Sequence, residues 1–139
     1  MDKVALLPAG DRAALFGETG AGRGVADTII EKDFWVCWTL RRLFGLPRGG
    51  TPTLVFKGGT SLSKAFGAIR RFSEDIDMSF DRAELGYTGD RDPEMVGISR
   101  KQAERLIDEL VVDVERHIAR ELLPALRAAI AEQLGEPAN

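Results

Sequence analysis

Between Ser73 and Phe80 the chain alternates, with Ile76, Met78 and Phe80 apolar and Asp75, Asp77 and Ser79 polar. Successive side chains of a strand point to opposite faces, so this segment is a strand with one apolar face and one face carrying two carboxylates. Upstream, Thr53-Leu54-Val55-Phe56 is a short β-branched and aromatic run that leads through Lys57 into Gly58-Gly59, the mark of a strand entering a tight turn. Thr60 is placed to cap a helix running to about Ile69. Strand, glycine turn, helix and alternating strand therefore form one unit, and because the flanking segments read as helical the expected fold class is α+β.

Ala13, Leu15 and Phe16 predict a short first helix, stopped by Gly17 and followed by a flexible connector over Gly20 to Gly24. No strand precedes these glycines, so they lack the context of a dinucleotide-binding loop. Ala26, Ile29, Ile30, Asp33, Phe34, Cys37, Trp38, Arg41 and Leu43 recur near helical spacing, with Gly45 and Pro47 placed to end that helix. Trp35 and Trp38 read as packing residues, and Cys37 as a small buried one. A loop with Gly86, Gly89 and Pro93 leads to Ser99, which with Gln102 makes a capping box for a long amphipathic helix on Ala103, Leu106, Ile107, Leu110, Val111, Val114 and Ile118. Pro124 should end or kink it near Leu123, with a further helical piece through Leu134. His117 falls on this charge-rich helix and is expected at its surface. The whole chain, residues 1–139, reads as a single domain, with core motifs over 25–80 and a helical region over 98–135.

One cysteine and one histidine leave little material for a Cys/His zinc site, a dithiol pair or a Ser-His-Asp triad, and a lone cysteine forms no intrachain disulfide. A metal would have to be held by oxygen. No apolar run approaches the length of a membrane span and the first residues lack a signal-peptide pattern, so a cytoplasmic location is the expectation. The net charge of −3 hides an asymmetry: Arg41 to Arg71 carries seven basic residues and no acid, while the remainder sums to −10. Such a stretch suits a polyanion, although a merely solvated basic surface is the alternative.

The basic stretch encloses the glycine turn. Two glycines between a strand and a helix let the backbone approach a ligand closely, and the helix N-terminus offers unpaired N–H groups to phosphate. Lys57 and Lys64 can add charge there, Arg70 and Arg71 suit phosphate or an RNA backbone, and Ser73 shares the face of Asp75 and Asp77. Residues two apart on a strand lie about 6 to 7 Å apart, so the two aspartates can converge on Mg²⁺. That ion is usually bound by one or two carboxylates together with substrate phosphates, and a metal pair about 3.5 to 4 Å apart clamps the attacking and leaving oxygens in phosphoryl transfer.

The segments Glu31-Lys32-Asp33-Phe34-Trp35-Val36, Phe56 to Lys64 and Arg71-Phe72-Ser73-Glu74-Asp75-Ile76-Asp77 resemble the AbiEii/AbiGii toxin family of nucleotidyltransferase-like proteins. Glu121-Leu122-Leu123-Pro124-Ala125-Leu126-Arg127 is similar to a stretch of some members. The resemblance implies a polymerase-beta-like nucleotidyltransferase core, Mg²⁺ (or Mn²⁺) and a nucleoside triphosphate (NTP) substrate. It assigns triphosphate binding to Gly58, Gly59, Thr60 and Ser61 and metal binding to Asp75 and Asp77, the expected catalytic pair, beside which Lys57, Lys64 and Ser73 stand as nucleotide-binding candidates from the residue pattern. It also brings Lys32 or Asp33 toward the site as supporting residues, with a merely solvated helix end as the alternative, and Arg71 joins them through its fit to phosphate. The implied system is a toxin–antitoxin or phage-defence (abortive infection) pair, with tRNA or another RNA as acceptor and a cognate antitoxin as partner.

The chain also departs from that pattern. The superfamily completes its metal site with a third carboxylate on a later strand, and nothing after Phe80 reads as such a strand. Val112-Asp113-Val114 is the one pattern candidate, yet Asp113 lies inside a helical period. The chain is therefore expected to represent the amino-terminal half of a longer domain. The residues leave three readings open: a transferase, a truncated or degenerate unit that binds nucleotide or a partner without catalysis, and a homodimer through the long helix in which another chain supplies missing groups.

Overall fold

A computed structural model describes residues 1–47, 52–58 and 76–135. Within them the chain forms α1 (Asp2–Ala5), α2 (Ala9–Arg23), α3 (Asp27–Gly45), β1 (Leu54–Lys57), β2 (Asp77–Phe80), a 3₁₀ turn (Gly89–Arg91), α4 (Arg100–His117), a π-helical segment (Ile118–Leu122) and α5 (Leu123–Leu134). The two strands pair antiparallel, so the described fold is of the expected α+β class. The expected helix from Thr60 to Ile69 and the first residues of the alternating strand, Ser73 to Asp75, lie outside the described residues.

The first helix departs from expectation. Rather than stopping at Gly17, α2 runs through Gly17, Gly20 and Gly22 and ends at Gly24, whose left-handed backbone (φ 64°) closes it. Its inward stripe is Arg12, Phe16 and Gly20, four residues apart, whereas Ala13 and Leu15 face solvent. Packing overrides the weak intrinsic preference of glycine. Gly20 is buried where the chain turns into α3, and a Cβ there would come 2.5 Å from the Val25 carbonyl oxygen and 3.3 Å from the Asp27 nitrogen. The absent side chain lets α2 and α3 meet, with the Phe16 and Phe34 rings 5.4 Å apart.

Helix α3 matches its expected extent. Its last residue is Gly45, and Leu46 is extended (ψ 141°) because it precedes Pro47, which disfavours helical geometry in its neighbour. Trp38 is 2% exposed and forms the centre of the helical core. Its indole N–H donates to Asp2 Oδ1 (3.0 Å), Arg42 pairs with the same carboxylate, and the Arg42 guanidinium stacks 4.3 Å from the Trp38 ring. This cluster ties α1 to α3 and lowers the Asp2 pKa from its ordinary value, chiefly through the Arg42 hydrogen bond. Trp35 packs edge-on against Phe34 and Trp38, as a packing residue should. Cys37 is only partly buried.

Helix α4 begins as its sequence predicts, with Ser99 Oγ accepting from the Gln102 N–H (3.2 Å). It buries a narrower face than its apolar pattern: Ala103, Leu106, Leu110 and Val114 turn inward, while Ile107 and Val111 are about half exposed. Pro124 does not end the helical rod. Proline has no N–H for the carbonyl four residues earlier, and the chain winds as a π-helix over Ile118–Leu122 before α5 resumes. His117 is partly buried instead of at the surface, lying edge-on to Phe80 with ring centroids 5.2 Å apart.

The loop after β2 is organised around Tyr87, which is 0% exposed and donates its hydroxyl to Asp113 Oδ2 (2.8 Å) on α4. Arg91 lies over the Tyr87 ring at 4.3 Å.

The two roles of glycine in α2 separate by mutation. Gly20→Ala should destabilise by about 1–3 kcal/mol, because its neighbours are backbone atoms that cannot turn aside. Gly17→Ala, where a Cβ meets nothing within 4 Å, should stabilise by about 0.5–1 kcal/mol. Urea denaturation of both variants checks the pair.

Candidate functional site

The described part of the site is the Lys57–Asp77 end of the β1–β2 ribbon. In the antiparallel register Leu54 faces Phe80, Val55 faces Ser79, Phe56 faces Met78 and Lys57 faces Asp77. Phe56 also meets Phe44 of α3, with ring centroids 6.4 Å apart. Lys57 and Asp77 are both exposed at the rung where β1 turns away.

Gly58 follows with φ 73°, a backbone region that L side chains rarely adopt. A Cβ at this position would clash with Asp77 Oδ2 and lie 2.7 Å from its Cγ and 2.9 Å from its Cβ. The Asp77 carboxylate therefore occupies the space that any other residue at position 58 would fill. The strand pairing delivers Asp77 to the turn, and the missing side chain lets it settle there.

Of the residues expected in the site, Lys57, Gly58 and Asp77 come together. Lys32 and Asp33 stand on α3, Lys32 exposed and Asp33 partly buried. Gly59, Thr60, Ser61, Lys64, Arg71, Ser73 and Asp75 lie outside the described residues. Arg42 leaves the set of basic residues open to a polyanion, because Asp2 and Trp38 engage its guanidinium; Arg41 beside it is exposed.

Asp113, the pattern candidate for a third carboxylate, has another role. It lies on helix α4, where Oδ2 accepts from Tyr87 and Oδ1 from Arg116 Nη1 (2.6 Å). The Tyr87 hydrogen bond does most to hold its carboxyl below the ordinary value, burial works against this, and Arg116 and Arg91 add to it. The Tyr87 hydroxyl is shifted upward, first by burial and then by its bond to Asp113. Sequence periodicity marks neither Tyr87 as a buried anchor nor Glu84 as a partner of Thr53. A single aromatic in a glycine-containing loop carries no periodic signal.

An oxygen-only donor set suits a hard cation such as Mg²⁺. The exposed Asp77 carboxylate, seated over a glycine with no Cβ, fits one ligand position of that kind. Among the described residues no group of three or more His, Cys, Asp or Glu gathers as a metal site.

The exposed Asp77 carboxylate thus lies against Gly58 at the end of the two-stranded ribbon. Residues 41–136 match the family described as nucleotidyl transferase AbiEii toxin, type IV toxin–antitoxin system. The match covers more than half of the chain and includes both strands, α4 and α5, so the protein belongs to the AbiEii nucleotidyl transferase toxin family. No curated protein and no solved structure matches the chain. Among the described residues no helix is long and apolar enough to cross a membrane.

Gly58→Ala should cost about 1–3 kcal/mol from its positive φ and displace Asp77; Asp77→Ala in the same chain should recover only the part due to the clash, as a double-mutant cycle in urea will measure. For Asp113, a depressed folded pKa means its stabilising contribution is present above the ordinary value of 3.8 and is lost as pH falls through the folded value. Asp113→Asn should therefore shrink the acid-induced loss of stability below about pH 4. Asp2 and Glu94, also lowered, should keep the rest.

Proposed function

We propose that this protein is a metal-dependent nucleotidyltransferase with a polymerase-beta-like core, acting as the toxin of a toxin–antitoxin or phage-defence system. The observation that carries the proposal is the packing of the Asp77 carboxylate against Gly58 at the Lys57–Asp77 end of the ribbon. Family membership supports the same reaction class.

Each residue then has a role. Gly58, Gly59, Thr60 and Ser61 offer backbone N–H groups to the triphosphate of an NTP. Lys57, exposed beside the turn, adds positive charge, joined by Lys64 and Ser73. Asp77 and Asp75 supply carboxylate oxygens to Mg²⁺, which when bound neutralises phosphate charge and favours in-line displacement. An acceptor hydroxyl of tRNA or another RNA forms a new bond to the α-phosphorus while the bond to the β-phosphate oxygen breaks. Pyrophosphate leaves, and the hydroxyl proton passes to solvent or a base. Lys32, Asp33 and Arg71 are supporting residues in this scheme, and Arg41 extends the basic surface toward the RNA backbone. A cognate antitoxin is the partner protein.

The test is transfer of labelled nucleotide to RNA in the presence of Mg²⁺. Asp75→Asn and Asp77→Asn should each lower the rate by at least about 100-fold, since each removes a metal-holding carboxylate, while circular dichroism stays that of the wild type. A folded double variant that still labels RNA would sink the proposal. Calorimetric binding of Mg²⁺ and NTP without transfer would instead favour a nucleotide-binding unit without catalysis.

A further inference from the structure

The ribbon that carries Asp77 is short, and its register is held from the end opposite the site. A two-stranded ribbon with four paired positions is marginal by itself in water. A slip by one residue would turn Asp77 to the other face and remove it from Gly58. At the far end, Thr53 donates its backbone N–H to Glu84 Oε2 (2.6 Å) and its hydroxyl to Glu84 Oε1 (2.8 Å). The Asp81 N–H donates to the Thr53 carbonyl (3.0 Å), so Thr53 continues the ladder while both its donors are taken by one carboxylate.

Glu84 is itself anchored. It lies three residues before Tyr87, whose buried ring and hydroxyl bond to Asp113 fix the loop on α4. The loop is closed locally by the Tyr87 N–H donating to the Arg82 carbonyl (3.0 Å) and the Ala83 N–H to Asp81 Oδ1 (2.9 Å). Arg82 pairs with Glu94 (2.7 Å), which draws in the far arm of the loop. Charge-assisted bonds to a carboxylate are stronger than neutral ones, and two donors from one residue fix its position along the strand.

We infer that Glu84 is a positioning residue for the Asp77 carboxylate, acting through Thr53 and the β1–β2 register about 14 Å away along the ribbon. The inference rests on the metal-binding reading of Asp77 given above. It adds that the site depends on a carboxylate in a loop that touches neither metal nor nucleotide. Thr53 and Glu84 lock the rung beyond Leu54 and Phe80, and the remaining rungs then place Asp77 over Gly58.

The test uses the full chain, with Mn²⁺ binding followed by electron paramagnetic resonance and the register followed by cross-strand backbone NOEs between Val55 and Ser79 and between Phe56 and Met78. Glu84→Ala should weaken Mn²⁺ binding about tenfold, the low end for groups that orient a ligand, and should diminish those NOEs. Glu84→Gln and Thr53→Val, each losing one of the two bonds, should lie between Glu84→Ala and wild type. Thr53→Ser should match the wild type, and Thr53→Val should add nothing in the Glu84→Ala background. A purely stabilising role would lower the unfolding temperature and leave the affinity of the folded fraction unchanged. If Glu84→Ala does not fold, Glu84→Gln and Thr53→Val carry the same comparison. Wild-type Mn²⁺ affinity in these variants, while Asp77→Asn loses binding, overturns the role of Glu84 and leaves the metal reading intact. If Asp77→Asn does not change Mn²⁺ binding, the metal reading fails; the NOEs then decide whether Glu84 sets the register, and their persistence in the variants overturns that too.

Discussion

The site depends on the register of the β1–β2 pair. Because side chains alternate along a strand, only one alignment sets Lys57 opposite Asp77 and leaves the carboxylate above Gly58. A glycine is required below it twice over, once for the positive φ and once for the space. The four paired positions contribute few ladder hydrogen bonds, so the alignment relies on what surrounds the ribbon. Thr53 and Glu84 hold one end, and Phe44 and His117 pack against Phe56 and Phe80.

The surrounding frame is helical and is assembled by a few close approaches. Gly20 lets α2 meet α3, and Asp2 joins α1 to Trp38 and Arg42. Tyr87 and Asp113 attach the loop after β2 to α4. The Arg42 and Asp113 charges, which in a sequence look available for ligands, are structural in this frame. Arg41 on α3 and Lys57 at the end of β1 remain exposed. Membership of the AbiEii nucleotidyl transferase toxin family gives that exposed charge a chemical context.

Much of this architecture is legible in the amino-acid sequence. The α3 helix, the capped start of α4, the effect of Pro124 and both strands follow from periodicity and from residues with fixed backbone demands. The closeness of Gly58 to Asp77 is legible because each has a local signature. The helical path of α2 through its glycines is not, because the gain that offsets their poor propensity comes from α3, a partner outside the local window. His117 escapes for the same reason: its helix is charged and suggests a surface position, but Phe80 covers one side of the ring. The helical period around Asp113 argues against a metal role, and its bonds to Tyr87 and Arg116 supply the role that the pattern leaves open.

Sequence alone is enough to dictate the α+β class, the glycine at position 58, the alternation that carries Asp77, and the family resemblance, since all of these are encoded in spacing and in conformational demands a few residues long. Tertiary packing settles the rest: which charges face solvent and which are held inside, and that a loop carboxylate, Glu84, takes both donors of Thr53 beside β1. Those outcomes depend on which distant residues meet. Contact between residues such as Asp2 and Arg42, or Thr53 and Glu84, is set by the packing of whole elements, for which no short stretch of sequence carries the information.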